Sequence, residues 1–328
     1  MAGVPVVKPA IAVGLPRRAP ARALARVAVG GFAAGLATTA YAGWEARHYV
    51  LRERTLPVLP TGARPLRVLH LTDLHLTPGQ RAKREWLAGL GALAPTLDLV
   101  VDTGDNLAHR DAVPVVRDVL GPLLDVPGVF VHGSNDYFEP SFRNPFRYLL
   151  PDDGTRHTDV PALPWRDLSR VFTDAGWLDL TNTRDRLRVR DLDVALAGVD
   201  DPHLGYDRLD DVAGPAEPTA DLRLAVTHAP YLRVLDAFAR DGYDAVLAGH
   251  THGGQVCLPG GRALTTNCDL EPARARGVHR HPATSRPGDP GSTWMHVGAG
   301  LGTSPYARIR LACRPEAVLL TLVPIGEG

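Results

Sequence analysis

Asp73 and His75, Asp105, Asn135 and Asp136, His228, and His250 with His252 are carboxylates, an amide and imidazoles. These side chains ligate metal ions and move protons. Asp73 and His75 follow the apolar run LRVLHL (66–71), Asp105 follows LDLVVDTG (97–104), and Asn135 and Asp136 follow GVFVHGS (128–134). His228 follows LRLAVT (222–227), and His250 and His252 stand in LAGHTHGGQV (247–256). Singly, each has a plain reading. Asp and Asn favour turns, and two histidines among glycines could cap a strand and close a turn. Five apolar runs that each end in a ligand-type residue point to loops gathered on one rim, since the loops at the carboxyl ends of strands in an α/β sheet lie together.

The elements that would position them alternate. A strand is predicted at 66–71, and strands running into loops over 97–105 and 128–136, with helices over 81–93 and 112–124 between them, the second broken near Gly121-Pro122. This βαβαβ order implies a parallel sheet with right-handed crossovers. A hairpin over 186–197, strands at 222–227 and 243–248 around a helix at 231–240, and strands near 294–298 and 317–323 follow. The Pro-rich stretch 140–183, with a short helix around 165–175, reads as an insertion that shapes a cleft.

The motifs DLH (73–75), GD (104–105), GSND (133–136), TH (227–228) and GHTH (249–252), in that order, resemble those of the calcineurin-like metallophosphoesterases. The resemblance covers about residues 66–323, and GHTHGGQ is similar to a bacterial, membrane-associated branch of that superfamily. It implies an α/β fold, a four-layer sandwich of two mixed β-sheets flanked by helices, with a dinuclear metal site at the C-terminal ends of the strands. It also implies a metal-dependent phosphoester hydrolase. Carried over by position, Asp73, His75 and His252 hold one ion, and Asp105 bridges to a second completed by His228, His250 and an amide of the GSND loop. Mixed imidazole and carboxylate ligation suits Mn, Fe or Zn. Two such ions about 3.5–4 Å apart would clamp the phosphoryl oxygens and activate a water for in-line attack.

The sequence departs from the family at GSND, where the family reads G-N-H-D. Aligned without a gap, Ser134 takes the ligand position and Asn135 that of the catalytic histidine. Shifted by one, Asn135 supplies the metal amide and the histidine is absent. The shift is preferred, because an amide oxygen is a better neutral ligand than a hydroxyl. Either way the usual general acid, a group typically contributing about 10²–10⁴-fold, is missing. The departure leaves a second function open: a catalytically impaired, metal-containing binding or scaffolding module tethered to a membrane.

Other candidates are weaker. His132, a strand residue, is expected to face away from the site. Asp136 orients a ligand from behind. Asp200, Asp201 and His203 share a loop that either caps a turn or contacts substrate. Trp165, Trp177 and Trp294 read as core. GAGLGTS (298–304) lacks the GK[ST] tail of a phosphate-binding P-loop.

Composition narrows the classes. Lys+Arg and Asp+Glu are both 36 in 328 residues, so no cationic footprint for nucleic acid exists. Cys257, Cys268 and Cys313 form no CxxC and no even framework. One pair could bridge outside the cytoplasm, although nothing in the sequence demands it. Residues 27–44, VAVGGFAAGLATTAYAGW, carry no charge and follow Arg17, Arg18, Arg22 and Arg26. As a helix they would span about 27 Å at about 1.5 Å per residue. A soluble buried helix, a signal peptide cleaved at Ala40-Tyr41-Ala42 and a retained single-pass anchor compete, and the anchor is preferred. Arg17-Arg18 matches a twin-arginine signal poorly. The expected organisation is therefore 1–64, a basic segment, anchor and Pro-rich spacer (56–65), then 65–328, the metallophosphoesterase domain. The basic N-terminal flank places the domain outside the membrane. Its substrate is then a phosphoester, lipid or cell-envelope linked.

Overall fold

In a computed structural model, residues 21–141, 154–156, 158–303 and 305–327 are described. The Arg17-Arg18 pair and most of the 142–157 stretch lie outside them. Twelve strands are present among these residues: β1 (Val50–Leu59), β2 (Leu66–Leu71), β3 (Leu99–Asp102), β4 (Gly128–Phe130), β5 (Leu178–Asp179), β6 (Thr183–Val189), β7 (Leu192–Gly198), β8 (Leu222–Val226), β9 (Ala245–Ala248), β10 (Gly277–His281), β11 (Thr293–Val297) and β12 (Glu316–Pro324). The helices are α1 (Ala21–Glu45), α2 (Arg81–Gly89), α3 (Val113–Leu120), α4 (Ser134–Tyr137), α5 (Trp165–Asp174), α6 (Leu209–Val212) and α7 (Leu232–Arg240).

The strands form two six-stranded mixed sheets, ordered β1-β12-β2-β3-β4-β5 and β10-β11-β9-β8-β7-β6. In the first, β2, β3, β4 and β5 run parallel, and β12 is antiparallel to β2. In the second, β7, β8, β9 and β11 run parallel between antiparallel edges β6 and β10. Continuous apolar strands such as LVVD and AVLA are buried along their whole length, as parallel strands covered on both faces must be.

Three clusters account for the layers. Val68, Leu99, Val101 and Val129 of the first sheet meet Val194, Leu196, Leu224 and Leu247 of the second in a shared central core. Outside the first sheet, Leu87 of α2, Val116 of α3 and Phe172 of α5 pack on Val100 and Phe130. Outside the second, Leu235 and Phe238 of α7 pack on Ala225, Val246 and Met295. Helix, sheet, sheet, helix is the expected four-layer order.

The edges of the fold were harder to anticipate. Residues 56–65, expected to form an extended spacer, belong in part to β1, which pairs in parallel with β12 from Val50 to Leu59. Pro57 disguises it, yet a proline is tolerated at a sheet edge because the outer side of the strand needs no ladder donor. The predicted helices over 81–93 and 112–124 tighten into 3₁₀ turns at Leu90–Thr96 and Gly121–Asp125. Chain contacts divide the protein into Met1–Tyr41 and Ala42–Gly328. The uncharged run does fold as a helix, α1. However, no helix among the described residues is long and apolar enough to cross a membrane, so the expected anchor gains no support. Glycine, alanine and threonine dilute the run's few large side chains.

Candidate metal centre

The loops after β2, β3 and β9 bring Asp73, His75, Asp105 and His252 together, one ligand atom of each lying within 4.8 Å of the others. His75 Nε2 is 3.4 Å from Asp105 Oδ2 and His252 Nε2 is 3.5 Å from Asp73 Oδ1. On the far side of Asp105, His228 Nε2 is 3.6 Å from Oδ1, and His250 Nδ1 is 3.3 Å from His228 Nε2. Asn135, in the short helix α4, donates its backbone N–H to Asp105 Oδ1 and its side-chain amide to Oδ2, both at 2.7 Å. Asp105 thus has His75 beside Oδ2 and His228 beside Oδ1, with Asn135 bonded to both oxygens. Of the two GSND residues weighed as ligand, Asn135 is the one whose side chain meets Asp105.

Two features show that this arrangement fits metal ions. Buried Asp73 Oδ1 has no hydrogen-bond partner among the described residues, which is costly for a carboxylate unless a cation meets it. The imidazoles are also oriented from behind. His252 Nδ1 lies 3.1 Å from the Gly302 carbonyl, His228 Nδ1 2.7 Å from that of Thr103, and His250 Nε2 3.1 Å from that of Asn267. Each carbonyl takes a ring N–H, which leaves the inward nitrogen of that ring with a lone pair for a metal once the ring is neutral. The inward His75 Nε2 and His252 Nε2 face each other at 3.3 Å, a contact that a shared cation explains and two lone pairs alone do not.

Burial sets the protonation states. It drives His75 down to about 4 and His250 down to about 3, and holds His252 well below its ordinary value. Burial raises Asp73 to about 6. His228 is the exception: burial pulls it down, but the carboxylates of Asp105, Asp201 and Asp73 together outweigh that and hold it up at about 9.

The backbone is bent to aim these groups. Asp73, His75, Asp105, His250 and His252 all have positive φ, between 42° and 67°, a region that costs a non-glycine residue of order 1–3 kcal/mol and collects at functional sites. Glycines give them room. A Cβ on Gly133 would lie 2.4 Å from Asp105 Oδ1, and one on Gly302 2.5 Å from His75 Cδ2.

Several expectations change here. Asp136 does not join the cluster. Its carboxylate accepts the backbone N–H groups of Gly133, Asp105, Asn106 and Leu107, so it shapes the loop that presents Asp105. His132 does face away, its Nε2 2.9 Å from Ser169 Oγ beneath Trp165. In the glycine-rich segment, Gly300 and Gly302 pack against Asp73 and His75. His203 reaches the rim: its ring lies 4.3 Å from that of His250, its Nδ1 is 3.1 Å from Tyr231 Oη, and Arg156 donates to Tyr231 Oη at 2.9 Å. Arg310, fully buried, was missed altogether. Its guanidinium donates to the carbonyls of Ala299, Gly300, Gly302 and His252, tying the loop after β11 to the metal-ligand turn. An arginine in the loop LGTSPYARIR carries no pattern that would mark it.

Comparison with known proteins agrees with this geometry. The family model for calcineurin-like phosphoesterase matches residues 66–254. The chain is 27% identical over 258 residues to the uncharacterized metallophosphoesterase YkoQ of Bacillus subtilis (strain 168), covering 76% of this chain and 81% of that protein. It is 27% identical over 234 residues to the uncharacterized protein YpbG of the same organism, covering 68% and 78%. Among solved structures it is similar to TT1561 of Thermus thermophilus, with 14% identity, a TM-score of 0.38, and coverage of 73% of this chain and 91% of that one.

Proposed function

Starting from the premise that the chain belongs to the calcineurin-like phosphoesterase family, we propose that it hydrolyses phosphoesters with two metal ions, divalent or of the Mn, Fe or Zn type. The observation that carries this reading is the position of Asp105, whose two oxygens face separate donor groups, His75 on one side and His228 on the other. Asp73, His75 and His252 would hold one ion, and Asn135, His228 and His250 the other. When bound, such ions polarise the phosphoryl group and lower the pKa of the attacking water. The chain's own groups do the rest. The neutral imidazoles of His75, His250 and His252 offer lone pairs and His228 does so on losing its proton, Asp136 and Arg310 keep the ligand loops in place, and the Arg156–Tyr231–His203 group lines the rim beside His250. A groove of about 740 Å³ lined by Thr77, His109, Arg110 and Arg308 begins two residues beyond His75 and would take the body of the substrate. The purified full chain with Mn²⁺ should cleave a chromogenic phosphodiester or monoester, and Asp105→Asn should abolish this. Activity that survives exhaustive chelation would overturn the reading.

The Ser-Asn pair at 134–135 favours a second reading, a metal-containing module with little turnover. Ser134→Asn with Asn135→His would restore the family pattern. A large gain in rate would identify a weakened enzyme, whereas metal uptake with no turnover before and after the change favours the module.

The proposed substrate is membrane-proximal, a lipid or cell-envelope phosphoester reached outside the membrane. The proposal rests on the uncharged run 27–44 behind a basic flank, which exposes Val29, Phe32 and Leu36 on α1, although no helix among the described residues is long and apolar enough to cross a membrane. Protease treatment of intact spheroplasts tests the location, and protection of the domain would refute it.

A further inference from the structure

Behind the His252 turn, Cys257 and Cys313 are both buried, in a small pocket with Ala263, Ala275 and Ala299. Their chain segments run side by side. Val256 bridges Leu311 in parallel, and the Cys257 N–H donates to the Leu311 carbonyl at 2.9 Å. Both thiols converge on one acceptor, the Gly253 carbonyl, Cys257 Sγ at 3.2 Å and Cys313 Sγ at 3.5 Å. Cys313 Sγ makes a further contact of 3.3 Å with the carbonyl of His252 itself. Cys268 packs against a different cluster, with α7. Two thiols enclosed together, on adjacent segments and sharing an acceptor, meet the first requirement of a disulfide, which joins only cysteines already close in the fold.

We infer that Cys257 and Cys313 are a disulfide-forming pair, oxidised by exchange with a small or protein disulfide, and that their bond staples the His252 turn to the 310–313 segment. The exchange balances without any further reagent. One cysteine thiolate attacks the donor disulfide, giving a mixed disulfide and releasing one donor thiol. The second cysteine thiolate then attacks the protein sulfur of that mixed disulfide, forming the Cys257–Cys313 bond and releasing the second donor thiol. Two protein thiols are oxidised and one donor disulfide is reduced. An oxidising compartment supplies such donors.

The staple would act on a segment already held at several points. Backbone N–H groups of Ala312 and Cys313 donate to the buried Glu45 carboxylate at 3.0 and 2.8 Å, and Arg310 reaches the His252 carbonyl at 3.2 Å. Cross-linking across a long loop constrains the unfolded chain most strongly.

The full chain is denatured, reduced and refolded in a glutathione redox buffer, then alkylated and digested without reductant. The expected product is a Cys257–Cys313 linked peptide, absent from Cys257→Ser and Cys313→Ser and retained in Cys268→Ser. The oxidised protein should melt on the order of 5–10 °C above the reduced one. Where refolding fails by circular dichroism, the native chain is instead incubated with glutathione disulfide while warmed toward its melting range, which opens the buried pocket. Recovery of both residues as alkylated thiols, or linkage only through Cys268, overturns the inference in either format.

Discussion

Loading the metal-free chain with Mn²⁺ at pH 7 should expel close to one proton, and that proton should come from His228. Its nitrogen must lose its proton to become a ligand, yet the surrounding carboxylates hold it up at about 9. At pH 7 it is therefore about 99% protonated. His75, down at about 4, and His250, down at about 3, are already neutral there and release nothing. Asp73, at about 6, contributes a second proton only in more acidic solution. The sign follows directly: affinity rises with pH, by about tenfold per unit between 7 and 9, and levels off above 9. Deprotonating His228 at pH 7 costs two units, or about 2.7 kcal/mol at about 1.36 kcal/mol per unit. Isothermal titration calorimetry in two buffers of different ionisation enthalpy counts the protons directly. Asp201→Asn sharpens the test, because Asp201 is fully buried and raises His228 without standing among the proposed ligands. It should bind metal with less proton release at pH 8. A metal affinity independent of pH over 7 to 9, or equal proton counts in wild type and Asp201→Asn, would refute the assignment of His228.

Three further outcomes follow from the packing. Gly302→Ala places a methyl 2.5 Å from the His75 ring and 2.6 Å from the Asp73 carbonyl, so overpacking of about 1–3 kcal/mol should fall on the site. Metal content by inductively coupled plasma mass spectrometry should drop while far-ultraviolet circular dichroism is unchanged. Lys83, buried with its ammonium on the Leu74 carbonyl at 2.7 Å, is lowered by burial to about 7. Its folded pKa lies below its unfolded one, so the unfolded chain binds the extra proton and Lys83 contributes stability that rises with pH from about 7 to 10.5, set against the fall that His228 contributes up to about 9. Lys83→Met should flatten that rise in urea unfolding curves, whatever the cost of about 1–3 kcal/mol for the abandoned carbonyls. An unchanged slope excludes Lys83 as its source. Arg156→Ala removes a cation that bears on His250 and binds Tyr231 Oη at 2.9 Å. It should raise KM several-fold with metal content unchanged, and a loss of metal would show that Arg156 holds the fold instead.

How much of this was readable beforehand differs by layer. The strands 66–71, 222–226 and 245–248 announced themselves because a strand buried on both faces must be apolar throughout, and the structure keeps all three within a residue or two. Edge strand β1 was unreadable for the converse reason: half exposed, it carries Arg52, Glu53, Arg54 and Pro57, the composition of a linker. The run 27–44 within α1 showed a length and an absence of charge, but those properties are shared by anchors, signal peptides and solvent-exposed helices.

The site divides along a physical line. Asp73, His75, Asp105, His228, His250 and His252 could be named because donor chemistry lives in the side chain, and only a few residue types supply it. What aims them could not. The carbonyls of Thr103, Asn267 and Gly302 orient three imidazoles, and every residue has a carbonyl, so residue type carries no trace of that role. Positive φ at five ligand positions is likewise a property of the backbone, and it runs against the preference of the residues that adopt it. The sequence betrays this strain only indirectly, through the glycines beside the ligands. Gly133 and Gly302 read as loop flexibility when taken as residue types. They act as space, each leaving open a volume that a single methyl would take from Asp105 or His75. A glycine-rich segment with no phosphate motif is therefore better read by asking which neighbouring ligand needs the room.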